Sequence, residues 1–351
     1  RSGYLCIVPN NPQLSLFSSG WGATLQRDHA TRQDAVAVFS LDTKPGFAGW
    51  NVNNYVPLDG NQRVLEFSQI ADKAVHEIPN STGKPSLQGT RYLAHIRLDV
   101  DHLGHIFSLG MGDNVSVSRY AALSRTIHQY FNIRVRKMLE TDYPDFYTVL
   151  SGGDDLYVIG PWDQALSFVT ALRKDFGSYV CSNPDVHFSS GIELARPKTP
   201  VALVAHAAEE RISQAKRAGR DRLSYYRTHT WDEAACLAGE TGWYTERIRD
   251  GKSKIGHAFV NRLLRLLRER IRYDDDKDVR ALASVSHLRY DLARNILRKE
   301  QGSIVNSDEI EHIIKGFDGI APANTRILEG AIRQALYQTR TSTGSSDERR
   351  T

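Results

Sequence analysis

Apolar and polar residues alternate most regularly between residues 89 and 228, and the pattern there predicts a mixed module of strands and helices. Tyr92–Val100 is an apolar run that predicts a buried strand, and Phe146–Leu150 predicts another. The remaining elements are a long helix at Ser116–Leu139, helices at Trp162–Tyr179 and Pro200–Ala218, and strands at Leu156–Gly160, Val186–Leu194 and Leu223–Tyr226. The order β-α-β-β-α-β is the ferredoxin-like arrangement, with one helix and one strand appended.

The long predicted helix has apolar residues at a spacing near 3.6 and a polar residue at its start. Ser116 or Ser118 is the expected N-cap. The inward positions are Tyr120, Leu123, Ile127, Tyr130, Phe131 and Val135. The next helix turns Leu166, Val169, Leu172 and Phe176 inward.

Residues 1–88 predict a small α+β module. Strands are expected at Tyr4–Val8, Ala35–Leu41 and Gly49–Val56, a short helix at Phe67–Ile78, and a linker at Asn80–Pro85. Trp21, Trp50 and Tyr55 could stack on a base, but we expect them to pack in a core.

Residues 229–351 change character, because no strand is predicted after Tyr226. Helical spacing continues at Ala258–Ile271, Val279–Lys299, Ser307–Gly316 and Asn324–Arg340, which predicts a small helical bundle. Arginines between the leucines of the first of these helices could face nucleic acid, but we expect them to face solvent or a docked protein. The polar segment Thr341–Thr351 is expected to be disordered.

Bulk composition narrows the class of protein. A chain of 351 residues with 40% hydrophobic content predicts a soluble globular protein of two or three domains. A net charge of +4 suits phosphate-bearing partners without requiring them.

Three distant cysteines without a CxxC pair argue against a zinc ribbon and a disulfide framework, and fit the cytoplasm. No apolar run reaches a membrane-spanning length, so no membrane partner is expected. The start at Arg1 suggests a fragment or a processed chain.

Two glycines and two aspartates join the strands of the central hairpin, in the order Ser151-Gly152-Gly153-Asp154-Asp155. Adjacent carboxylates at a hairpin tip repel, so a divalent metal and a nucleotide phosphate are the expected partners. Upstream, Asp99 and Asp101 end a strand and share one face. If that strand lies beside the hairpin, Asp99 and Asp154 converge and could hold two Mg²⁺ or Mn²⁺ ions about 3.5–4 Å apart for nucleotidyl transfer.

Other polar residues carry weaker signals. The backbone carbonyl of Val100 could complete the metal coordination, and Asp155 could be a second ligand or orient a water. Lys216 could clamp a triphosphate, or could be a solvent lysine at a helix C-terminus. Ser151, Gly152 and Gly153 could bring backbone close to a base or sugar. His102 and His105 are expected to be structural or solvent-facing. No P-loop and no dinucleotide-binding fingerprint is present.

An ordered set of motifs resembles one family closely. It comprises Leu98-Asp99-Val100-Asp101-His102-Leu103-Gly104, Ser118-Arg119, Ser151-Gly152-Gly153-Asp154-Asp155-Leu156, Gly160-Pro161-Trp162-Asp163, Ser189-Ser190-Gly191-Ile192 and Ala215-Lys216. The chain resembles the large polymerase-like subunit of type III CRISPR effector complexes (the "Cas ten" family, Csm-type), in register from Phe67 to Tyr226.

The resemblance implies a palm domain at 89–228, related to polymerases and GGDEF cyclases, between a linker module at 1–88 and a helical domain at 229–351. It implies synthesis of cyclic 3′–5′ oligoadenylates from ATP, switched on by target RNA. Asp99 and Asp154 would be metal ligands, Asp155 would support them, and Lys216 would contact phosphate. The implied partners are a small subunit, the subunit that binds the crRNA 5′ end, crRNA with target RNA, and a second palm domain.

The chain also departs from the family pattern. It has no His-Asp dipeptide, so a nuclease of the HD type cannot be assigned, and only one palm is visible. Two alternatives therefore stay open. One is a stand-alone GGDEF-like cyclase making a cyclic dinucleotide, which Leu156 after Asp155 disfavours. The other is a catalytically silent scaffold, which the intact Asp99 and Asp154 disfavour.

Overall fold

The computed structural model describes four short strands before residue 55 and then residues 55–79, 85–110, 112, 116–250, 255–276, 283–296, 307–318 and 324–341. The chain forms two compact units. The first comprises residues 1–65 and 103–159, and the second comprises residues 66–102 and 160–351.

Twelve strands lie in the described residues. They are β1 (Tyr4–Pro9), β2 (Trp21–Gln26), β3 (Ala37–Ser40), β4 (Gly49–Asn51), β5 (Val75–Pro79), β6 (Pro85–Gly89), β7 (Leu93–Val100), β8 (Tyr147–Gly152), β9 (Asp155–Pro161), β10 (Phe188–Ala195), β11 (Arg222–Tyr225) and β12 (Arg227–Thr230).

Eleven α-helices lie in the same residues. They are α1 (Phe67–Asp72), α2 (Leu103–Ser108), α3 (Val117–Gln129), α4 (Val135–Thr141), α5 (Ala165–Tyr179), α6 (Val201–Arg217), α7 (Trp231–Asp250), α8 (His257–Asp276), α9 (Ala283–Asp291), α10 (Ser307–Asp318) and α11 (Thr325–Thr339). A π-helical turn, Tyr130–Arg134, joins α3 to α4.

The first unit contains a small sheet and the long central helix. In the sheet, β1 pairs antiparallel with β2 and β3, and β3 pairs parallel with β4. Ser116 caps α3 by accepting a hydrogen bond from the Arg119 backbone N–H at 3.2 Å. The π-helical turn and the start of α4 bury Tyr130, Phe131 and Val135 completely, so the core contacts of the long helix come mostly from its C-terminal half.

The second unit contains a mixed sheet flanked by helices. β7 pairs antiparallel with β10, β10 pairs parallel with β11, and β11 pairs antiparallel with β12. The first four residues of β7 are all buried, as the apolar run predicts. Helix α6 packs on β10, while α7 and α8 pack against α11 in the helical bundle. The mixed sheet, the palm-like order of elements along the chain and the helical C-terminal part confirm the predicted fold class.

Several elements differ from the sequence prediction. The helix at Phe67 ends at Asp72, and the following residues form strand β5, which pairs with β6. Strand β2 was not predicted. Strand β12 follows Tyr226, where no strand was expected. Helix α7 was not predicted either, although it packs extensively on α11.

Single residues also differ from the prediction or lie outside the described part. Tyr120 is 51% exposed and contacts Phe107 with ring centroids 4.5 Å apart, so it is not an inward position of α3. The side chains of Trp21 and Trp50, the linker at 80–84 and the tail at 342–351 lie outside the described residues. Among the described residues, no helix combines the length and the hydrophobicity needed to cross a membrane.

Candidate functional site

The carboxylate of Asp99 and the ammonium of Lys216 form an ion pair in the second unit. Asp99 is the penultimate residue of β7, and Lys216 lies in the last turn of α6. Their side chains are 19% and 32% exposed, so the pair is accessible from solvent. Burial, followed by the nearby charge of Arg220, lowers the pKa of Lys216 below its ordinary value. The structure therefore brings together two of the residues that the sequence singled out.

Asp101 lies two residues further on and is fully enclosed. Its carboxylate accepts hydrogen bonds from Ser189 Oγ at 2.9 Å and from the Asp221 backbone N–H at 3.0 Å. It also contacts His187 Nδ1 at 2.8 Å. Because these partners occupy both oxygens, Asp101 acts as a structural anchor beside Asp99 and is not a free ligand.

The loop after α6 is held in a sparsely populated backbone conformation. Gly219, Arg220 and Asp221 have φ values of +121°, +61° and +46°. Such values cost free energy in residues other than glycine, so surrounding contacts must over-determine them. Asp221 Oδ1 accepts from Trp231 Nε1 at 2.9 Å and pairs with Arg173 at 2.8 Å. Together with Asp101, these contacts fix the loop that follows Lys216.

The Gly-Gly-Asp-Asp stretch forms a tight hairpin in the first unit. Gly152 of β8 is paired with Asp155 of β9, which leaves Gly153 and Asp154 as the two turn residues. Gly153 has a φ of +64°, the conformation that the first central position of a type II′ turn requires. Asp154 and Asp155 are both half-buried at this tip. The predicted hairpin with acidic residues at its tip is therefore present.

Ser151 connects the hairpin to the long helix. Its Oγ donates to the Phe131 carbonyl oxygen at 2.8 Å, within the π-helical turn. A π turn disturbs the regular helical hydrogen bonds, which leaves carbonyl groups open to such side-chain donors. Ser151 therefore anchors the hairpin, while Gly152 and Gly153 add no side chains beside the two aspartates.

The other residues that the sequence singled out lie as follows in the structure. Val100 buries its side chain and offers only its backbone carbonyl. His102 and His105 are exposed, as expected. The convergence of Asp99 with Asp154 stays a prediction. Sequence reasoning assigned no role to His187, Ser189 or Asp221. Two features of the sequence could have pointed to Ser189 and Asp221: a run of small polar residues inside a buried strand, and the Gly-Arg-Asp turn after α6.

The carboxylates of the strand end and of the hairpin are, each taken by itself, of the chemical kind that binds magnesium in nucleotide enzymes. Among the described residues, no group of three His, Cys, Asp or Glu side chains could hold a metal ion. Mg²⁺ in nucleotide enzymes is usually bound by one or two carboxylates, with substrate phosphates and waters supplying the other ligands. Asp99 provides one such carboxylate in the second unit and Asp154 provides one in the first unit, whereas the carboxylate of Asp101 already has three hydrogen-bond partners.

Comparison with known families assigns the central part of the chain. Residues 92–224 match the sequence profile described as Cas10/Cmr2, second palm domain. The chain is 29% identical over 166 residues to the CRISPR system single-strand-specific deoxyribonuclease Cas10/Csm1 (subtype III-A) of Methanocaldococcus jannaschii, a match that covers 44% of the chain and 20% of that protein. It is 30% identical over 217 residues to the Mycobacterium tuberculosis protein of the same description, covering 55% of the chain and 26% of that protein.

Solved structures agree with the fold. A crystal structure of a Csm1-Csm4 cassette in complex with pppApApA matches with a TM-score of 0.66 and 21% identity. The match covers 96% of the present chain and 49% of the matched chain of that structure. The Csm1 of T. onnurineus matches with a TM-score of 0.65 and 21% identity, covering 96% of the chain and 48% of that chain. At this identity the structures establish the fold alone. The chain therefore spans about half the length of these structural neighbours and a smaller part of the curated relatives.

Proposed function

We propose that the chain, whose residues 92–224 match the second palm domain of the Cas10/Cmr2 family, is the catalytic palm portion of a type III-A CRISPR effector subunit. Its proposed reaction is metal-dependent nucleotidyl transfer that converts ATP to cyclic 3′–5′ oligoadenylates. The chemistry forms a bond between the 3′ oxygen of one ATP and the α-phosphorus of another, releases pyrophosphate and frees the hydroxyl proton to solvent.

One observation carries this proposal. Within a palm-family domain, the chain presents one acidic residue at a strand end in contact with a lysine, and a pair of acidic residues on a tight glycine hairpin. Strand-end and hairpin aspartates supply the hard oxygen ligands that phosphoryl chemistry requires, and the lysine supplies the cation for phosphate oxygens.

Lys216 has two partners in this scheme. Without nucleotide, its ammonium balances the charge of Asp99. When a triphosphate binds, Lys216 is free to contact a phosphate oxygen, because Asp99 then has a metal ion as its counter-charge. The lowered pKa of Lys216 fits a partly buried ammonium that gains stabilisation from an incoming anion.

Asp99, Asp154 and the Val100 carbonyl would hold the metal ions, with Asp155 in support. Bound Mg²⁺ or Mn²⁺ would make the 3′-hydroxyl a better nucleophile and neutralise charge on the leaving pyrophosphate. The chain's own groups do the remaining work. The bare backbone of Gly152 and Gly153 lets a sugar or base approach the hairpin, and Asp101 holds the end of β7 in position.

The proposed partners follow from the relatives. Structural neighbours are Csm1-Csm4 subcomplexes, including one described as part of the type III-A CRISPR-Csm interference complex, so we propose that the chain assembles with the corresponding subunits, crRNA and target RNA in the cytoplasm. Neighbours were crystallised with cA4 and AMPPNP, which supports ATP as the substrate and an oligoadenylate as the product. A second palm domain would supply the other nucleotide site.

The test is incubation of the chain, with its partner subunits and target RNA, with ATP and Mg²⁺ or Mn²⁺, followed by mass spectrometry of the products. Cyclic oligoadenylates are expected, and they should disappear in the Asp154→Ala/Asp155→Ala variant. A Glu210→Gln variant is the matched control, because Glu210 is an exposed acidic residue of α6. A cyclic dinucleotide product would instead support the stand-alone cyclase. No product in the full complex would leave only a scaffold role.

A further inference from the structure

Helices α8 and α11 enclose a cavity of about 680 Å³ in the helical bundle. The α8 wall consists of His257, Asn261, Leu264 and Arg268, and the α11 side contributes Arg333, Leu336, Tyr337, Arg340 and Thr341. The α8 residues recur every three or four positions and so form one stripe of that helix. The cavity is therefore a groove along two packed helices and is remote in sequence from the palm motifs.

The two helices run antiparallel along this groove. His257 Nε2 lies 3.1 Å from the Thr339 carbonyl oxygen at one end, and Arg268 Nε lies 3.3 Å from Glu329 Oε1 at the other. With a helical rise of 1.5 Å per residue, the stripe from His257 to Arg268 is about 16 Å long. Arg268 and Arg333 therefore lie towards one end of the groove and Arg340 lies towards the other, with Leu264, Leu336 and Tyr337 also in the lining.

Positive charge at the Arg268 end exceeds what the local carboxylate can neutralise. Arg227, Arg268 and Arg333 all pair with the single carboxylate of Glu329, at 3.1, 3.3 and 2.8 Å. Burial would raise the pKa of Glu329, but the hydrogen bonds and charges of these arginines outweigh it and lower the pKa. Glu329 is therefore ionised, and two positive charges remain in excess.

Two more arginines, Arg333 and Arg340, line the same groove. The Nε of Arg333 is buried and has no hydrogen-bond partner among the described residues. The exposed guanidinium of Arg340 forms no ion pair within the described part of the chain. No Asp or Glu is among the residues that line the cavity. Because the lining contains Arg268, Arg333 and Arg340 and no carboxylate, an anionic ligand would stabilise this wall through charge-assisted hydrogen bonds.

We propose that the α8–α11 groove is a binding site for phosphate groups, independent of the palm. Phosphates would contact Arg268 with Arg333 at one end and Arg340 at the other, while the apolar floor accommodates the sugar or base between them. A free nucleotide and a single-stranded oligonucleotide share this chemistry. The spacing of the two cationic ends favours a ligand with more than one phosphate.

The experiment measures fluorescence anisotropy of labelled hexauridylate with the chain, in EDTA so that metal-dependent binding at the palm does not contribute. The test variant is Arg268→Gln/Arg340→Gln. The control variant, Lys174→Gln/Lys315→Gln, removes the same charge from exposed lysines of α5 and α10 that do not line the groove. Thermal melting of each variant checks that the fold is retained.

The test variant should bind about tenfold more weakly, and the slope of log affinity against log salt should fall by about 1.4, since each phosphate contact to a single strand contributes about 0.7. The control should stay within about twofold of the wild type. Competitors are then added at equal concentrations. Displacement of the labelled strand by ATP or inorganic phosphate would identify free phosphate compounds as ligands, whereas displacement only by unlabelled oligonucleotide would identify a single strand. Either result supports the site. Equal losses in the two variants, or no binding by the wild type, would overturn the proposal.

Discussion

Substitution of Gly191 tests how closely α6 must approach the sheet to place Lys216. Gly191 lies in β10, beneath α6, with no space for a side chain. A Cβ at this position would lie 2.6 Å from Arg211 Cβ, 2.7 Å from the Ile212 backbone nitrogen and 3.0 Å from the Ala208 carbonyl oxygen. Two of these atoms belong to the helix backbone, so no change of rotamer can relieve the overlap.

We therefore expect Gly191→Ala to displace α6 and to lower the free energy of unfolding by about 2–3 kcal/mol, within the range for overpacked cores. The buried face of α6, which includes Ala208, Ile212 and Ala215, would lose contact with β10. Lys216 lies one turn beyond Ile212, so the ion pair with Asp99 would loosen and nucleotide affinity would fall.

The assay is urea unfolding followed by circular dichroism, with nucleotide binding measured in parallel. Gly239→Ala is the matched control, because Gly239 lies inside α7 and no atom outside its own helical backbone lies within 4 Å of the place that an alanine methyl group would take. That control should stabilise the protein by about 0.5–1 kcal/mol, the helix propensity difference between glycine and alanine. Equal stability of Gly191→Ala and the wild type would refute the close-approach reasoning.

Three further predictions follow from single side chains. Burial lowers the pKa of His95 to about 4, so the imidazole takes up a proton at a higher pH in the unfolded chain than in the folded one. The free energy of unfolding should therefore fall by about 3 kcal/mol as the pH falls from about 6.5 to 4. Urea midpoints should show this pH dependence in the wild type and lack it in His95→Gln. Because the pKa of Lys216 is lowered, its ammonium loses its proton at a lower pH than an ordinary lysine does, and nucleotide affinity should begin to fall at that lower alkaline pH. In Lys216→Arg, nucleotide affinity should stay constant up to a higher pH. Identical profiles of affinity against pH in the two proteins would contradict this. Asp101→Ala should lower the free energy of unfolding measured in urea by about 3 kcal/mol, because it leaves the buried Ser189 and Asp221 donors without a partner. Asp101→Asn should lower it by less. An alanine variant as stable as the wild type would argue against the structural role of Asp101.

Much of the fold was predictable because its signals are local. The buried run of β7 and the apolar face of α5 follow directly from their periodicity, and both elements are present as predicted. The glycine-aspartate hairpin was predictable for the same reason, since its turn chemistry is contained within a few residues. The Ser116 cap also belongs to this class.

The missed elements depend on contacts with distant residues. Strand β12 consists of Arg227-Thr228-His229-Thr230, which carries no apolar run, and it exists because it pairs with β11. Helix α7 contains Gly239 and Gly242, which weaken a local helix signal, but its packing on α11 compensates. Residues after Asp72 continue a helical pattern and yet form β5, because β6 offers backbone partners.

The candidate site divides in the same way. Asp99, Lys216 and the hairpin aspartates were identifiable by residue type and motif order. The anchoring role of Asp101 was not, because its partners come from distant parts of the chain: His187 lies just before β10, Ser189 lies in β10 and Asp221 lies in the loop after α6. Only the folded sheet brings these groups to one carboxylate.

The most direct test of the central claim is the rate of pyrophosphate release from ATP by the chain assembled with its partner subunits and target RNA. The proposed shared metal chemistry predicts that Asp99→Asn and Asp154→Asn each lower this rate by about 100-fold or more, while Glu210→Gln leaves it unchanged. A wild-type rate in either aspartate variant would contradict the assignment of these residues as the metal-binding pair.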